Sequence, residues 1–121
     1  MLTMTLPWPP QALSPNTRHA HWSSLARAKR RFRSACSMVA KQHGAGRLES
    51  PELAVNISFV PPDRRRRDLD NCIAAMKSGL DGLADVLGVD DSRWTLTATL
   101  DSSQVGGFVR VEVSPWPRAQ A

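Results

Sequence analysis

A chain of 121 residues has room for one hydrophobic core and not for two, and its 16 lysines and arginines against 11 aspartates and glutamates leave a formal charge of +5. Such an excess draws polyanions and gives a salt-dependent, sequence-blind grip on phosphates, without distinguishing DNA from RNA. Two cysteines, Cys36 and Cys72, lack C-x-x-C spacing and so indicate neither a disulfide framework nor a zinc site, no apolar run approaches the ~18 residues of a membrane span, and Met1-Leu2-Thr3-Met4 lacks the character of a signal peptide. The expectation is a cytoplasmic protein with no membrane partner.

Leu2, Met4 and Leu6 alternate with Thr3 and Thr5, which predicts a short strand stopped by Pro7, Pro9 and Pro10. The loop that follows is rich in groups able to touch phosphate or sugar, Asn16 and Arg18 among them. His19 and His21 have ligand-capable side chains but no third partner nearby, so a polar loop or phosphate contact is the better reading. From a cap at Ser23 or Ser24 to His43, Leu25, Ala28, Phe32, Ala35 and Val39 recur at spacings of three and four, a helix stopped by Gly44 and Gly46. Arg27, Lys29, Arg30, Arg31 and Arg33 crowd its first half. That cationic strip suits backbone contacts to nucleic acid; the plain alternative is an ordinary wet helix face.

Leu53, Val55, Ile57 and Phe59 alternate with Ala54, Asn56 and Ser58, a strand that runs through Pro61-Pro62 into Arg64-Arg65-Arg66-Arg67-Asp68-Leu69-Asp70-Asn71. Four guanidinium groups thus adjoin two carboxylates. In an extended segment residues i and i+2 point the same way, so Asp68 and Asp70 could aim at a common point, whereas a helix would splay them. Convergent carboxylates suit a hard divalent cation such as Mg²⁺, which takes one or two of them with phosphate oxygens and waters. Taken singly, an arginine run is usually a solvated loop and Asp-x-Asp is usually turn or cap chemistry. A calcium-loop register fails, because Cys72 and Ile73 stand where an EF-hand wants Asp or Asn and then Gly.

A second helix is predicted over Asn71–Leu87, with Ile73, Met76, Leu80, Leu83 and Leu87 as its core stripe. Ala75, Gly79, Gly82 and Val86 form a neighbouring band of small side chains that permits close approach of another element, a second subunit being one candidate. Asp70, Lys77, Asp81 and Asp85 line the opposite side, where the plain reading of the last three is a ladder of surface ion pairs. After Gly88 comes an acidic turn, Val89-Asp90-Asp91-Ser92-Arg93. Trp94, Leu96, Ala98 and Leu100, then Val109, Val111 and Val113, alternate with polar residues around Gly106-Gly107, which predicts a hairpin. Residues 1–114 are expected to form one domain and 115–121 a flexible tail. The order β-α-β-α-β-β predicts an α+β fold: one mixed sheet with two helices packed on one face.

Three segments, Thr5-Leu6-Pro7-Trp8-Pro9-Pro10, Pro62-Asp63-Arg64-Arg65-Arg66-Arg67-Asp68-Leu69-Asp70-Asn71 and Asp90-Asp91-Ser92, spread in this order along nearly the whole chain, resemble the RusA-type Holliday junction resolvases, crossover junction endodeoxyribonucleases often carried by phages and prophages. The resemblance implies a homodimeric, Mg²⁺-dependent endonuclease that nicks two strands of a four-way DNA junction symmetrically. By position it implies Asp68 and Asp70 as paired catalytic, metal-binding acids and Asp91 as the third, with Asp90 either assisting or shaping the turn. Arg64, Arg65, Arg66 and Arg67, together with Asn16, Arg18, Arg27, Lys29 and Arg30, are the expected DNA contacts. Three carboxylates from a strand end, a helix start and a later turn could hold one or two Mg²⁺ ions for phosphodiester hydrolysis. One departure stands out: Ala74 occupies the position where many members carry a lysine. Lys77, one turn further along the face of Asp70, is the expected substitute, since helical side chains lean toward the N-terminus; simple pairing with Asp81 is the alternative. The rival functions are a non-catalytic branched-DNA-binding module and a Mg²⁺-dependent enzyme acting on small phosphorylated molecules, for which the basic helix would be surplus.

Overall fold

Two β-α-β crossovers that step in the same direction build this molecule, described for residues 1–18 and 21–116 in a computed structural model. The strands are β1 (Leu2–Pro7), β2 (Leu53–Val60), β3 (Trp94–Leu100) and β4 (Phe108–Pro115), and the helices α1 (Trp22–Gln42) and α2 (Leu69–Leu87), with short 3₁₀ turns at Gln11–Leu13 and Asp91–Arg93. The sheet order is β1-β4-β2-β3. Strand β4 runs antiparallel to both β1 and β2, and β3 parallel to β2, so the first three strands share one direction. Crossovers between parallel strands are right-handed, and two that both step toward β3 put their helices on the same face. The α+β fold with one mixed sheet is therefore the one the element order predicts.

Alternation explains which face the helices cover. Met4, Leu6, Leu53, Val55, Ile57, Phe59, Val109, Val111 and Val113 are buried beneath them. Thr3, Thr5, Asn56, Thr95, Thr97 and Thr99 lie exposed on the open face. Helix α1 starts at Trp22 with His21 as its cap residue and no side-chain capping bond, so neither Ser23 nor Ser24 serves as the cap. Its buried stripe is Phe32, Cys36 and Ala40, at steps of four, and Ala35 is exposed instead. That stripe meets α2 at the small-residue band. A methyl group on Gly79 would lie 2.6 Å from Phe32 Cε2, and one on Gly82 2.2 Å from the Arg33 carbonyl oxygen. The band is thus filled by the chain's own first helix, not by a second subunit. Gly88, with φ +70°, ends α2 in the left-handed conformation its backbone requires.

The expected hairpin does not form, because β2 lies between β3 and β4. Residues 101–107 pass over the end of β2 instead: the Asp101 amide donates to the Phe59 carbonyl, and those of Gly106 and Gly107 to Pro61 and Val60. Valine-rich β4 takes a central place with neighbours on both sides, and threonine-rich β3 takes the edge. The tail also holds on longer than expected. β4 continues through Pro115, and the Trp116 amide donates to the Glu52 carbonyl; the rest of the expected tail, 117–121, lies outside the described residues.

Candidate nucleic-acid interface and carboxylate site

The register brings Pro7 opposite Phe108 and Phe108 opposite Val60, so the exits of β1 and β2 share one end of the sheet. Both crossover helices start from that end. It therefore collects Asn16 and Arg18 from the first loop, the basic first half of α1, the arginine loop and the N-terminus of α2. Helix N-termini add partial positive charge to the same end.

The arginine loop divides into struts and free groups. Arg67, only 17% exposed, forms an ion pair with Asp63 at 2.9 Å. It also donates to the backbone carbonyls of Asp63 and Arg65, each at 3.1 Å, and its guanidinium lies 5.5 Å from the centre of the Trp8 ring. Trp8 in turn meets Phe59 edge-on at 5.9 Å, tying the loop to the core. Arg65 donates to Asp63 through its backbone amide at 3.0 Å and its Nε at 3.2 Å. Arg67, then Arg65, hold the Asp63 carboxyl well below the usual carboxylate range. Asp63, absent from the expected site residues, is the hub of the loop; its spacing two before Arg65 is the signal of an Asx turn. Arg64 and Arg66 are exposed and make no hydrogen bond or ion pair among the described residues. Thus Arg67 is a structural strut rather than a free DNA contact, and Arg65 is partly committed. The loop borders an open hollow of about 430 Å³, which Leu100, Ser102 and Gln104 share.

Asp68 is extended (φ −98°, ψ 132°), but it is the cap residue of α2, and Leu69 and Asp70 already belong to the helix. The expected extended geometry for the pair therefore does not hold. Both carboxylates are exposed, at the positive end of α2, and neither makes a side-chain hydrogen bond or ion pair among the described residues.

Asp91 does not join them. It precedes β3 at the opposite end of the sheet, where Trp94 pairs with Leu53, and its carboxylate sits on the Lys77 ammonium. Lys77 also donates to Asp81 at 2.8 Å, and these two acids, Asp81 first, raise its pKa. Lys77 lies seven residues from Asp70, about 10 Å along the helix axis. It leans toward Asp81 and not back toward Asp70, so the pairing alternative is the geometry observed, with Asp91 as an added partner. Among the described residues no group of three His, Cys, Asp or Glu is placed to hold a metal ion. The convergence of Asp68, Asp70 and Asp91 expected from the sequence is not made within one chain.

Asp90 shapes the turn: its side chain accepts from the Ser92 amide at 3.1 Å, and Ser92, through its hydroxyl first and then that amide, lowers its pKa. Asp85 leaves the expected ladder for a two-bond pairing with Arg33 across the helices at 2.7 and 2.8 Å, which also removes Arg33 from the free cations of α1. Arg27, Lys29 and Arg30 are exposed, as are Asn16 and Arg18. His21 is exposed too, and His19 lies outside the described residues.

Fold and site together define a small two-layer α+β protein with a cationic end that carries two carboxylates unneutralised among the described residues. A scan against known protein families finds none that matches the chain. Over 97 residues it is 41% identical to an uncharacterized protein of Xylella fastidiosa strain Temecula1, an alignment covering 78% of this chain and 63% of that relative. The chain thus spans less than two thirds of the length of the relative it matches. Among the described residues no helix is long and apolar enough to cross a membrane.

Proposed function

We propose that this chain is a Mg²⁺-dependent, structure-selective endodeoxyribonuclease of the RusA type, a cytoplasmic homodimer that resolves four-way or branched DNA by paired symmetric nicks. One juxtaposition carries the reading: two exposed carboxylates, Asp68 and Asp70, follow directly on two exposed guanidiniums, Arg64 and Arg66, and none of the four has a side-chain partner among the described residues. A phosphate held by those arginines lies next to the acids. The donor set fits the ion, since Mg²⁺ is usually held by one or two carboxylates with substrate phosphate and water completing its shell. When bound there, it supplies an activated water and charge neutralisation for phosphodiester hydrolysis.

The chain's own groups divide the remaining work. Arg64 and Arg66 orient the backbone, while Arg27, Lys29, Arg30, Asn16 and Arg18 extend the contact. Asp63, Arg67 and Trp8 keep the loop in place, and Lys77 positions Asp91. One observation favours a second reading, a non-catalytic branched-DNA-binding protein: Asp91 is held by Lys77, away from the other two acids. Incubation with a synthetic four-way junction separates the two. Nicking that needs Mg²⁺ and disappears in Asp70→Asn, with binding retained, supports the nuclease; binding without nicking selects the module. An enzyme for small phosphorylated molecules would show no strong, salt-sensitive affinity for branched DNA.

A further inference from the structure

Apart from the first residue, Trp22 is the most exposed large apolar side chain among the described residues, at 82%. The core begins on α1 at Leu25 and leaves it out. Two other tryptophans are tied down, Trp8 edge-on to Phe59 and Trp94 through the bond its ring nitrogen donates to the Val89 carbonyl. Trp22 makes no ring contact among the described residues. Helices α1 and α2 run the same way, because each links strands that share one direction. Phe32 packs on Gly79, and Trp22 stands ten residues before the one as Leu69 stands ten before the other. At about 1.5 Å per residue, Trp22 is therefore level with the start of α2 and its two acids. Arg33 lies three turns beyond Trp22 on the same side of α1, and that side faces α2, because Arg33 reaches Asp85.

We infer that Trp22 stacks on the face of a base left uncovered at the branch point of the DNA, and thereby sets a preference for branched over continuous duplex. The occupant follows from the charges: exposed Arg18, Arg27, Lys29 and Arg30 share this end of the molecule with the ring. An aromatic ring among cations matches a nucleic acid, whose phosphates take the cations and whose bases offer flat apolar faces. In continuous duplex each base is stacked on both faces, so a ring enters only by prising a step apart. Where strands exchange, the last pair of each arm has a face already open. A ring seated there also fixes how far the branch point lies from the phosphate beside Asp68 and Asp70. That second effect rests on the proposed nuclease reading, whereas the stacking needs only that branched DNA binds at this end.

Competition binding in Mg²⁺-free buffer, with a synthetic four-way junction and a duplex of equal length, tests the stacking. Trp22→Ala should hold the junction about 5- to 150-fold more weakly, the range for removing one base-stacking aromatic, with duplex affinity level. Trp22→Phe should keep most of the preference. Both variants should keep the wild-type salt slope, since no charge is removed, and the wild-type melting temperature, since the ring lies outside the core. Emission from Trp22, read as the difference between wild type and Trp22→Phe, should be quenched by the junction and not by the duplex. Equal losses on the two DNAs, or none, overturn the stacking role. So does self-association in ultracentrifugation that Trp22→Ala abolishes, which would assign the ring to a contact between copies. A selective loss of junction binding in a protein that never nicks leaves the stacking and overturns the nuclease reading. Nicking that needs Mg²⁺ and Asp70, with the preference for branched DNA unchanged in Trp22→Ala, does the reverse.

Discussion

Alanine in place of Gly82 should loosen the two helices from each other. The new methyl would stand 2.2 Å from the Arg33 carbonyl oxygen and 3.1 Å from the Ser37 hydroxyl. The first of these is backbone, which cannot swing aside as a side chain can, so α1 must move. That movement also disturbs the bond the Ser37 hydroxyl donates to the Gly82 carbonyl at 2.8 Å. Alanine gains about 1 kcal/mol of helix propensity over glycine, but forcing extra volume into a packed contact costs about 1–3 kcal/mol and the strained hydrogen bond adds to it. The net expectation is a loss of about 1–2 kcal/mol, which lowers the melting temperature by about 3–8 °C. Urea unfolding followed by circular dichroism should show a lower midpoint with an unchanged slope. Gly46→Ala is the control: its methyl meets nothing within 4 Å, and it should leave stability level or raised by about 0.4–1 kcal/mol. A Gly82→Ala variant as stable as wild type would refute the packing argument. A loss that vanished at low protein concentration would instead return the small-residue band to a subunit interface.

Other expectations follow from the same geometry. Burial pushes the Cys36 thiol up to about 12 and raises that of Cys72, so a thiol reagent at pH 8 should label neither in the native protein and both after unfolding; rapid native labelling would contradict the helix packing. Asp63 has its pKa lowered in the folded state, so its tie to Arg67 and Arg65 contributes fully above the unfolded carboxylate value of ~3.9 and is lost as pH falls through the lower folded value. Asp63→Asn should accordingly speed hydrogen exchange of the Arg65 amide at pH 7, and unchanged exchange would remove Asp63 from its place as the loop's anchor. Replacing both Arg64 and Arg66 by alanine should flatten the plot of log affinity against log salt by about 0.9 for each DNA phosphate that the protein then leaves unneutralised. The same measurement on Arg67→Ala should show mainly a stability defect.

Periodicity locates nearly every element. The alternation of Leu53, Val55, Ile57 and Phe59 and the stripe through Met76, Leu80, Leu83 and Leu87 record local burial, which the chain carries residue by residue. Strand neighbours are another matter: Val109, Val111 and Val113 alternate identically whether β4 lies against β3 or against β2, so a hairpin is indistinguishable from the order observed. The carboxylate pair reads as extended because it follows a strand, although an aspartate ahead of a helical pattern is also a cap signature, and Asp68 occupies that position. The tie of Lys77 to Asp81 is legible from a spacing of four. Its tie to Asp91 is not, since it depends on how the chain folds back after Gly88. Nor does the sequence tell the free arginines from the struts, because that sorting depends on Trp8, in the segment that follows β1.

The most direct test is strand cleavage of a synthetic four-way junction by the purified protein, with and without Mg²⁺, for wild type and Asp70→Asn side by side. The account predicts paired nicks from wild type only when Mg²⁺ is present, and from the variant a bound junction that stays whole. Equal cleavage by the two proteins, or cleavage indifferent to Mg²⁺, would contradict it.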